Sequence, residues 1–486
     1  MTTPPSTVPL WARFEHRLRS DVWYENPPQD ASLAVTFTAP SGTRHVVDAF
    51  WDGGAMWAVR FCPGETGEWT YATDCSDASN GSLHAVKGTF RCTPAAGTSR
   101  FEAHGPVRAS DDRRHLAHAD GTPFFWLADT AWNGPLLSTD AEWDHYLHIR
   151  AAQRFTAVQW VATHWRASPG GDRNGATAFD GVERIHISPS FFRRLDGKVD
   201  AVNRAGLVAA PVMLWENSED SAFPDSNPGH TLPEDQAILL GRYMLARWGA
   251  NAVVWILMGD WRYQPHNAER WRRIGRGIFA GRPHGPVATH VRSRVFLADE
   301  FRDEEWLDVV GYQTGHSDEE SFLHWIHSGD IARDWEKGRA RVIMNLEPNY
   351  EDHISRHSAN RFDAYAVRRA CYWSLLNAPT AGVTYGAHGV WGWDDGTRPP
   401  VDHPHTGIPR HWRDALHLPG GAQMAHLADL FTSIEWWRLR PAPGLLAAQP
   451  GEASARRHIS ASMTRAGDLA VVYSPGGAAV HLRAAA

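Results

Sequence analysis

Between residues 104 and 440 the chain repeats one pattern eight times: a short apolar run that stops on a polar side chain, then a stretch with helical spacing. The runs are PFFWLAD ending at Asp129, AVQWVATH ending at His164, VAAPVMLWE ending at Glu216, NAVVWILMGD ending at Asp260 and PVATH ending at His290. DVVGYQT, which carries Gln313, RVIMNLE ending at Glu347 and GVTYGAH ending at His388 complete the set. Strands this continuously apolar are buried on both faces, which implies a parallel sheet covered by helices.

The intervening segments supply those helices. STDAEWDHYLHIRAAQ at 138–153 opens with Thr139 followed three residues later by Glu142, the signature of a capping box. Further helical stretches fall near 233–248, 267–279 and 360–377. Eight strand and helix repeats predict a (β/α)8 TIM barrel rather than an open doubly wound sheet, which shows fewer repeats and a Gly-rich phosphate turn. Neither GxGxxG nor GxxxxGK[ST] occurs. In such a barrel the strand ends converge on one mouth, so the polar residues that close the runs meet there.

The flanks read differently. Up to residue 97, period-two runs such as LAVTFT at 33–38 and WAVRF at 57–61 mark half-buried strands, separated by turns at PSG, DGG, PGETGE and SNGS. A β-sandwich over 1–97 fits that spacing. From 441 to 486 only HISASMT and DLAVVYS alternate, and a small β appendage packed on the barrel is expected. The predicted fold class is therefore α/β, a (β/α)8 barrel over 104–440 between these two β regions.

Charge narrows the partners. The formal charge of -7 comes from 55 acidic and 48 basic residues without long blocks, which leaves no footprint for nucleic acid or an anionic membrane. No secretory leader or long apolar span is evident, so a cytoplasmic location is expected. Cys62, Cys75, Cys92 and Cys371 lack CxxC spacing and read as reduced structural thiols. Nothing in the sequence calls for a cofactor, and nothing sets the oligomeric state.

Asp260 and Glu347 end the fourth and seventh strands, where two side chains can face across a common pocket. Hydrolysis of a glycosidic bond needs such a pair, one carboxylic acid to protonate the leaving oxygen and one carboxylate to attack or activate water. Glu216, also at a strand end, is a rival for the acid. Many of the 24 tryptophans, among them Trp132, Trp165, Trp215, Trp261 and Trp391, lie at or beside strand ends, and flat aromatic faces suit sugar rings.

The middle region resembles the apiosidase-like family of (β/α)8 glycoside hydrolases through DGTPFFWLADTAWNG at 120–134, NAVVWILMGDWR at 251–262, NLEPNYED at 345–352 and VTYGAHGVW at 383–391. The first region, notably FWDGGAMWAVRFCPGETGEWTYAT at 50–73, resembles the immunoglobulin-like domain that often precedes such barrels, and the tail resembles the small β domain that often follows. The resemblance implies Asp260 as general acid/base and Glu347 as nucleophile. It also implies that Asp129 and Trp132 line the sugar subsite and that Tyr385, His388 and Trp391 close its far wall. A glycan is the implied substrate, with a pentofuranose such as apiose or arabinose one possibility.

Other readings stand beside these. Asp129 is also a candidate cap for loop amides, His164 and His290 are candidate core histidines, and Arg262 is a candidate ion-pair partner of Asp260 or donor to a sugar hydroxyl. A metal-dependent hydrolase would use His164, Glu216, His290 and Asp260, although the single HxH, His403 and His405, sits in a loop after the last strand. A binding protein without turnover is the third alternative. For the hydrolase, a retaining double displacement and exo action at a crowded mouth are expected.

Overall fold

A computed structural model describes residues 6–95, 97, 99–219 and 221–483. Eight parallel strands close into a barrel, each paired with its sequence neighbour and the eighth with the first. They are β1 (Trp126–Thr130), β2 (Ala157–Val161), β3 (Val208–Trp215), β4 (Trp255–Gly259), β5 (Val287–Ala288), β6 (Val309–Gln313), β7 (Val342–Glu347) and β8 (Gly382–Gly386). All eight predicted strands are present, with Asp260, His290 and His388 one or two residues beyond the paired segments. Closure runs through the register Trp126↔Gly382 to Thr130↔Gly386.

The helices follow the predicted spacing. Asp140–Ala152 begins at Thr139, whose side chain accepts from Glu142 N–H while Glu142 caps Thr139 in return. Glu234–Trp248, Pro265–Phe279 and Ala364–Leu376 match the other three predicted stretches closely. Every residue of the eight barrel strands is buried, as their unbroken apolar sequence requires.

Ahead of the barrel, a five-stranded sheet and a three-stranded sheet enclose a separate aromatic core that includes Phe14, Phe37, Phe61, Trp69 and Phe90. The strand Met56–Phe61 departs from the half-buried expectation: Trp57, Val59 and Phe61 face that core, while Ala58 and Arg60 are buried on the other side. The reason is an ionic seam. Arg60 donates to Asp196 at 2.9 Å and to the Arg247 carbonyl at 2.8 Å, and Arg247 pairs with both Asp52 and Asp196. This edge of the β region is thus pinned against the barrel helices.

After the barrel, strands Leu439–Pro441, Ser460–Thr464 and Ala470–Tyr473 form a small antiparallel sheet. It packs on Ala364–Leu376, with Ser462 Oγ donating to Leu376 O at 2.8 Å and Tyr473 stacked on Tyr372. All four cysteines are unpaired thiols, and burial pushes Cys62 and Cys371 up to about 12. No helix among the described residues is long and apolar enough to cross a membrane.

Candidate functional site

Strand ends at the C-terminal face bring Asp260 and Glu347 to the same mouth, and one imidazole lies between them. His290, fully buried, accepts the Asp260 N–H at its Nδ1 at 3.1 Å. A backbone N–H only donates, so the ring proton is assigned to Nε2, which lies 3.2 Å from Glu347 Oε2, slightly out of line for a full hydrogen bond. His316 repeats the arrangement on the other oxygen. Its Nδ1 accepts the Tyr350 N–H at 3.4 Å and its Nε2 lies 2.9 Å from Glu347 Oε1.

Glu347 therefore meets one imidazole N–H on each oxygen. Burial acts to raise its carboxyl, but these contacts with His290 and His316 outweigh it and hold Glu347 well below the usual carboxylate range. The group is a stable anion at the mouth of an apolar barrel. Tyr350 packs tilted on His316, and burial together with the Glu347 charge raises its phenol.

Asp260 is placed by an unusual backbone. Gly259 abuts the Trp215 ring so closely that a Cβ would sit 2.3 Å from it, and Asp260 adopts a left-handed φ of 51°. Non-glycine residues hold that conformation at some cost, Asp less than most. The turn aims the N–H at His290 and the carboxyl elsewhere: Asn217 Nδ2 donates to Oδ2 and Gln313 Nε2 to Oδ1, each at 2.7 Å. Arg166 stands 3.8 Å from Oδ2.

An aromatic wall adjoins the acids. Trp132 meets both Trp215 and His290 edge-on, each with ring centres 5.5 Å apart, and Trp165 packs on Trp215 at 4.4 Å. Trp391 lies parallel to His388 and edge-on to His403. Among the described residues Trp215 Nε1, Trp391 Nε1 and His388 Nε2 are buried without a hydrogen-bond partner. Burial lowers His388 to about 4, so its ring is neutral near pH 7.

Several expected site residues stand elsewhere. Asp129 and Tyr385 are register partners on β1 and β8 and face the helix layer, where Asp129 is tied to Arg150 at 2.6 Å and Tyr146 at 2.7 Å, and Tyr385 donates to Glu351 at 2.5 Å. Both are fully buried. They support the barrel wall behind the mouth, which corrects their expected placement at the sugar, because strand side chains alternate and theirs fall on the outer face. Trp261 likewise packs outward against Trp271 and Phe301. His164 packs on Phe179, and burial lowers it to about 4.

Arg262 pairs with Glu219 at 2.8 Å, so the cation nearest Asp260 is Arg166 instead. Glu216 is half-buried and accepts the Arg262 N–H at 3.1 Å. Among the described residues no group of three or more His, Cys, Asp and Glu side chains is disposed to hold a metal ion. Both ring nitrogens of His290 already face Asp260 and Glu347.

Sequence reasoning missed His316, Asn217 and Arg166. Each lies two to five residues past a strand end, so a search extended from the last strand residue into the following loop reaches all three. The described residues of the long loop 215–230 are tied to the loop after β8, where Asp402 accepts from Ser221 Oγ at 3.0 Å and Ala222 N–H at 2.7 Å. Arg166 Nε lies 3.4 Å from the other Asp402 oxygen, and its guanidinium donates to His403 at 3.1 Å. At the opposite end of the barrel, a cavity of about 390 Å³ lies between the β region and the strand starts, remote from these acids.

Residues 110–438 match the family described as apiosidase-like, catalytic domain. Residues 7–76 match a domain of unknown function (DUF5060). No curated protein matches the chain. Among solved structures, a glycoside hydrolase is similar at 22% identity, covering 76% of this chain and 84% of that chain with a TM-score of 0.66. A glycoside hydrolase family 5 protein from Bacteroides vulgatus ATCC 8482 is 22% identical over 77% of this chain and 81% of its own, with a TM-score of 0.65. Another structure from that organism, 18% identical, covers 94% of this chain and 82% of its own with a TM-score of 0.69. At these identities the likeness is one of fold.

Proposed function

Because this chain belongs to the apiosidase-like catalytic-domain family, and so is a glycoside hydrolase of (β/α)8 fold, we propose that it works by double displacement, with Glu347 as nucleophile and Asp260 as acid/base. One observation carries the reading: Glu347 is a buried anion, oriented by an imidazole on each oxygen, and His290 links it to the backbone of Asp260.

In the first step Glu347 attacks the anomeric carbon while a proton is delivered through Asp260 to the glycosidic oxygen, and the leaving alcohol departs. In the second, Asp260 takes a proton from water as that water displaces Glu347, and the sugar leaves with its original anomeric configuration. His290 and His316 fix the nucleophile's rotamer and keep it ionised, which is the form that attacks.

The substrate is a terminal sugar of a short glycan, a pentofuranose in the version the family likeness favours. Trp132 and Trp215 supply an apolar wall, while the unpaired Trp215 Nε1, Trp391 Nε1 and His388 Nε2 match hydroxyl groups, which both donate and accept. Exo action is supported by the tie of loop 215–230 to Asp402. The test is a panel of aryl pentofuranosides, aryl pyranosides and oligosaccharides, with Asp260→Asn, Glu347→Gln and a chelator as controls. Release of one sugar that both variants lose by about 10²–10⁴-fold or more, and that the chelator spares, supports the reading. NMR of the first-formed anomer decides retention; an inverted product rejects double displacement.

A further inference from the structure

We propose that the cavity beside Trp391, lined by Asp394 and Arg398, is a second sugar subsite that holds the unit to which the released sugar is attached. The inference rests on the reading of Asp260 and Glu347 as a glycosidase pair and concerns the leaving side of the bond.

The cavity, of about 130 Å³, lies between the loops after β1, β2 and β8. At about 30 Å³ per water it has room for about four waters, which suits one sugar unit entering by an edge and not a chain. Trp391, Trp393, Pro399 and Pro400 give it apolar walls, and Asp394 and Arg398 give it one charge of each sign. Such a lining fits a polar, uncharged ring, with faces for its C–H surface and an acceptor and a donor for its hydroxyls.

Both charged groups are unused by the fold. Among the described residues neither the Asp394 carboxyl nor the Arg398 guanidinium makes a hydrogen bond or an ion pair, with each other or with any neighbour. Asp394 Oδ2 is buried against Gly392, where a Cβ would sit 2.3 Å from it, so Oδ1 is the oxygen left to meet a ligand. Burial, and then the Asp395 charge, raise this carboxyl, a cost that no protein donor offsets. The backbone that presents it is strained as well. Trp393 holds a left-handed φ of 57°, which a bulky side chain rarely adopts, and it is fixed by its stack on Trp412 at 4.2 Å, whose N–H donates to Asp394 O at 2.9 Å.

Trp391 is the wall shared with the mouth. Its ring lies parallel to His388 and edge-on to His403, His403 accepts from Arg166 at 3.1 Å, and Arg166 stands 3.8 Å from Asp260 Oδ2. Asp402, which follows the lining residue Val401, faces Arg166 Nε at 3.4 Å. The cavity therefore adjoins the Asp260 side of the mouth, where the leaving oxygen is protonated. Asp394 takes no part in bond breaking; with Arg398 it holds hydroxyls of the unit that leaves.

The full chain is tested as Asp394→Ala, Asp394→Asn and Arg398→Ala, with melting temperatures as the folding control. Substrates come in pairs that share a glycone: aryl arabinofuranosides and apiofuranosides against the same pentofuranoses linked to glucose or xylose. Expected in both alanine variants is a loss of kcat/KM at least tenfold larger on the disaccharide than on its aryl partner, carried mainly by KM. Asp394→Asn keeps an acceptor oxygen and should recover part of it. Titration with free glucose and xylose, followed by ligand-observed NMR, needs no turnover: the wild type should bind one of them, and both alanine variants at least tenfold more weakly. Equal losses on the two members of a pair, or sugar binding that is absent from the wild type or unchanged in both alanine variants, reject the subsite and leave the hydrolase reading standing. If the wild type cleaves neither member yet binds a sugar that both variants lose, the subsite stands and the catalytic reading falls.

Discussion

His290 joins Asp260 to Glu347: one ring nitrogen accepts the backbone N–H of the first, and the other faces the carboxylate of the second across 3.2 Å. The two acids are therefore placed by a shared rigid ring rather than by two independent loops, and the tautomer at one end is set by the bond at the other. Replacing His290 moves both acids at once, so its effect on rate reports their coupling but not the role of either.

Of the two acids His316 touches Glu347 alone, so its replacement separates the electrostatic part. His316→Ala removes one donor, so the Glu347 carboxyl should rise toward its ordinary value. Since attack needs the anion, the acidic limb of kcat/KM should move to higher pH, with up to about tenfold loss near pH 3.5, one unit below the ordinary value, and little loss between pH 5 and 7. His316→Gln should recover part of the shift by restoring an N–H. An acidic limb unchanged in His316→Ala would show that Glu347 is not the group that titrates there.

Asp394, on the loop after β8, lies outside the proposed chemistry and offers a stability test. Burial first, and then the neighbouring Asp395 charge, push it up to about 7 from an ordinary 3.8. A carboxyl raised in the folded state costs nothing below the unfolded pKa, costs progressively more between about pH 4 and 7, and carries the full cost above. Asp394→Asn should therefore stabilise the protein by about 1–2 kcal/mol at pH 8, after allowance for its partial exposure, and by almost nothing at pH 4. Urea midpoints at the two pH values measure this; equal gains at both would mean the charge is not the cause.

The seam between the β region and the barrel should behave oppositely. Burial acts to raise Asp196, but Arg247 and Arg60 prevail and lower it. Its contribution is present above the ordinary carboxylate pKa and is lost as pH falls through the lowered value. Asp196→Asn leaves two buried guanidiniums short of a partner and should cost about 3 kcal/mol at pH 7, shrinking at the acid end. Thermal melts from pH 3 to 7 would contradict this if wild type and variant stayed parallel.

Asp402→Ala removes the acceptor that holds Ser221 and Ala222. With loop 215–230 released, KM should rise several-fold while kcat changes less, since neither proposed catalytic acid touches Asp402. Limited proteolysis should find new cleavage between residues 216 and 227. If the clasp enforces exo action, internal products from longer oligosaccharides should also appear; a product pattern identical to wild type would assign exo action to another element.

Much of the barrel was legible because it rests on repetition. Runs such as Val253–Met258 are apolar on both faces, which only a covered parallel strand explains, and Thr139 with Glu142 marks a helix start by local hydrogen bonding alone. The residues at the strand ends followed from the barrel rule without any coordinates. Met56–Phe61 shows where this reasoning stops: its period-two pattern describes one core, and Arg60 becomes buried only because Asp196 and Arg247 lie far away in sequence.

What the sequence determined by itself was periodicity: where strands and helices form, their parallel closure, and that Asp260, Glu216 and Glu347 terminate strands at one mouth. Which side of the wall each side chain takes was decided by the tertiary structure. Asp129 and Glu347 both close apolar runs, yet Arg150 and Tyr146 draw the first into the helix layer while His290 and His316 receive the second at the mouth. A strand shifts a side chain from one face to the other with a single residue, so the position of a run's last polar residue leaves its face undetermined. The charge partners that fix that face come from other strands and loops, and only closure of the barrel brings them within hydrogen-bonding distance.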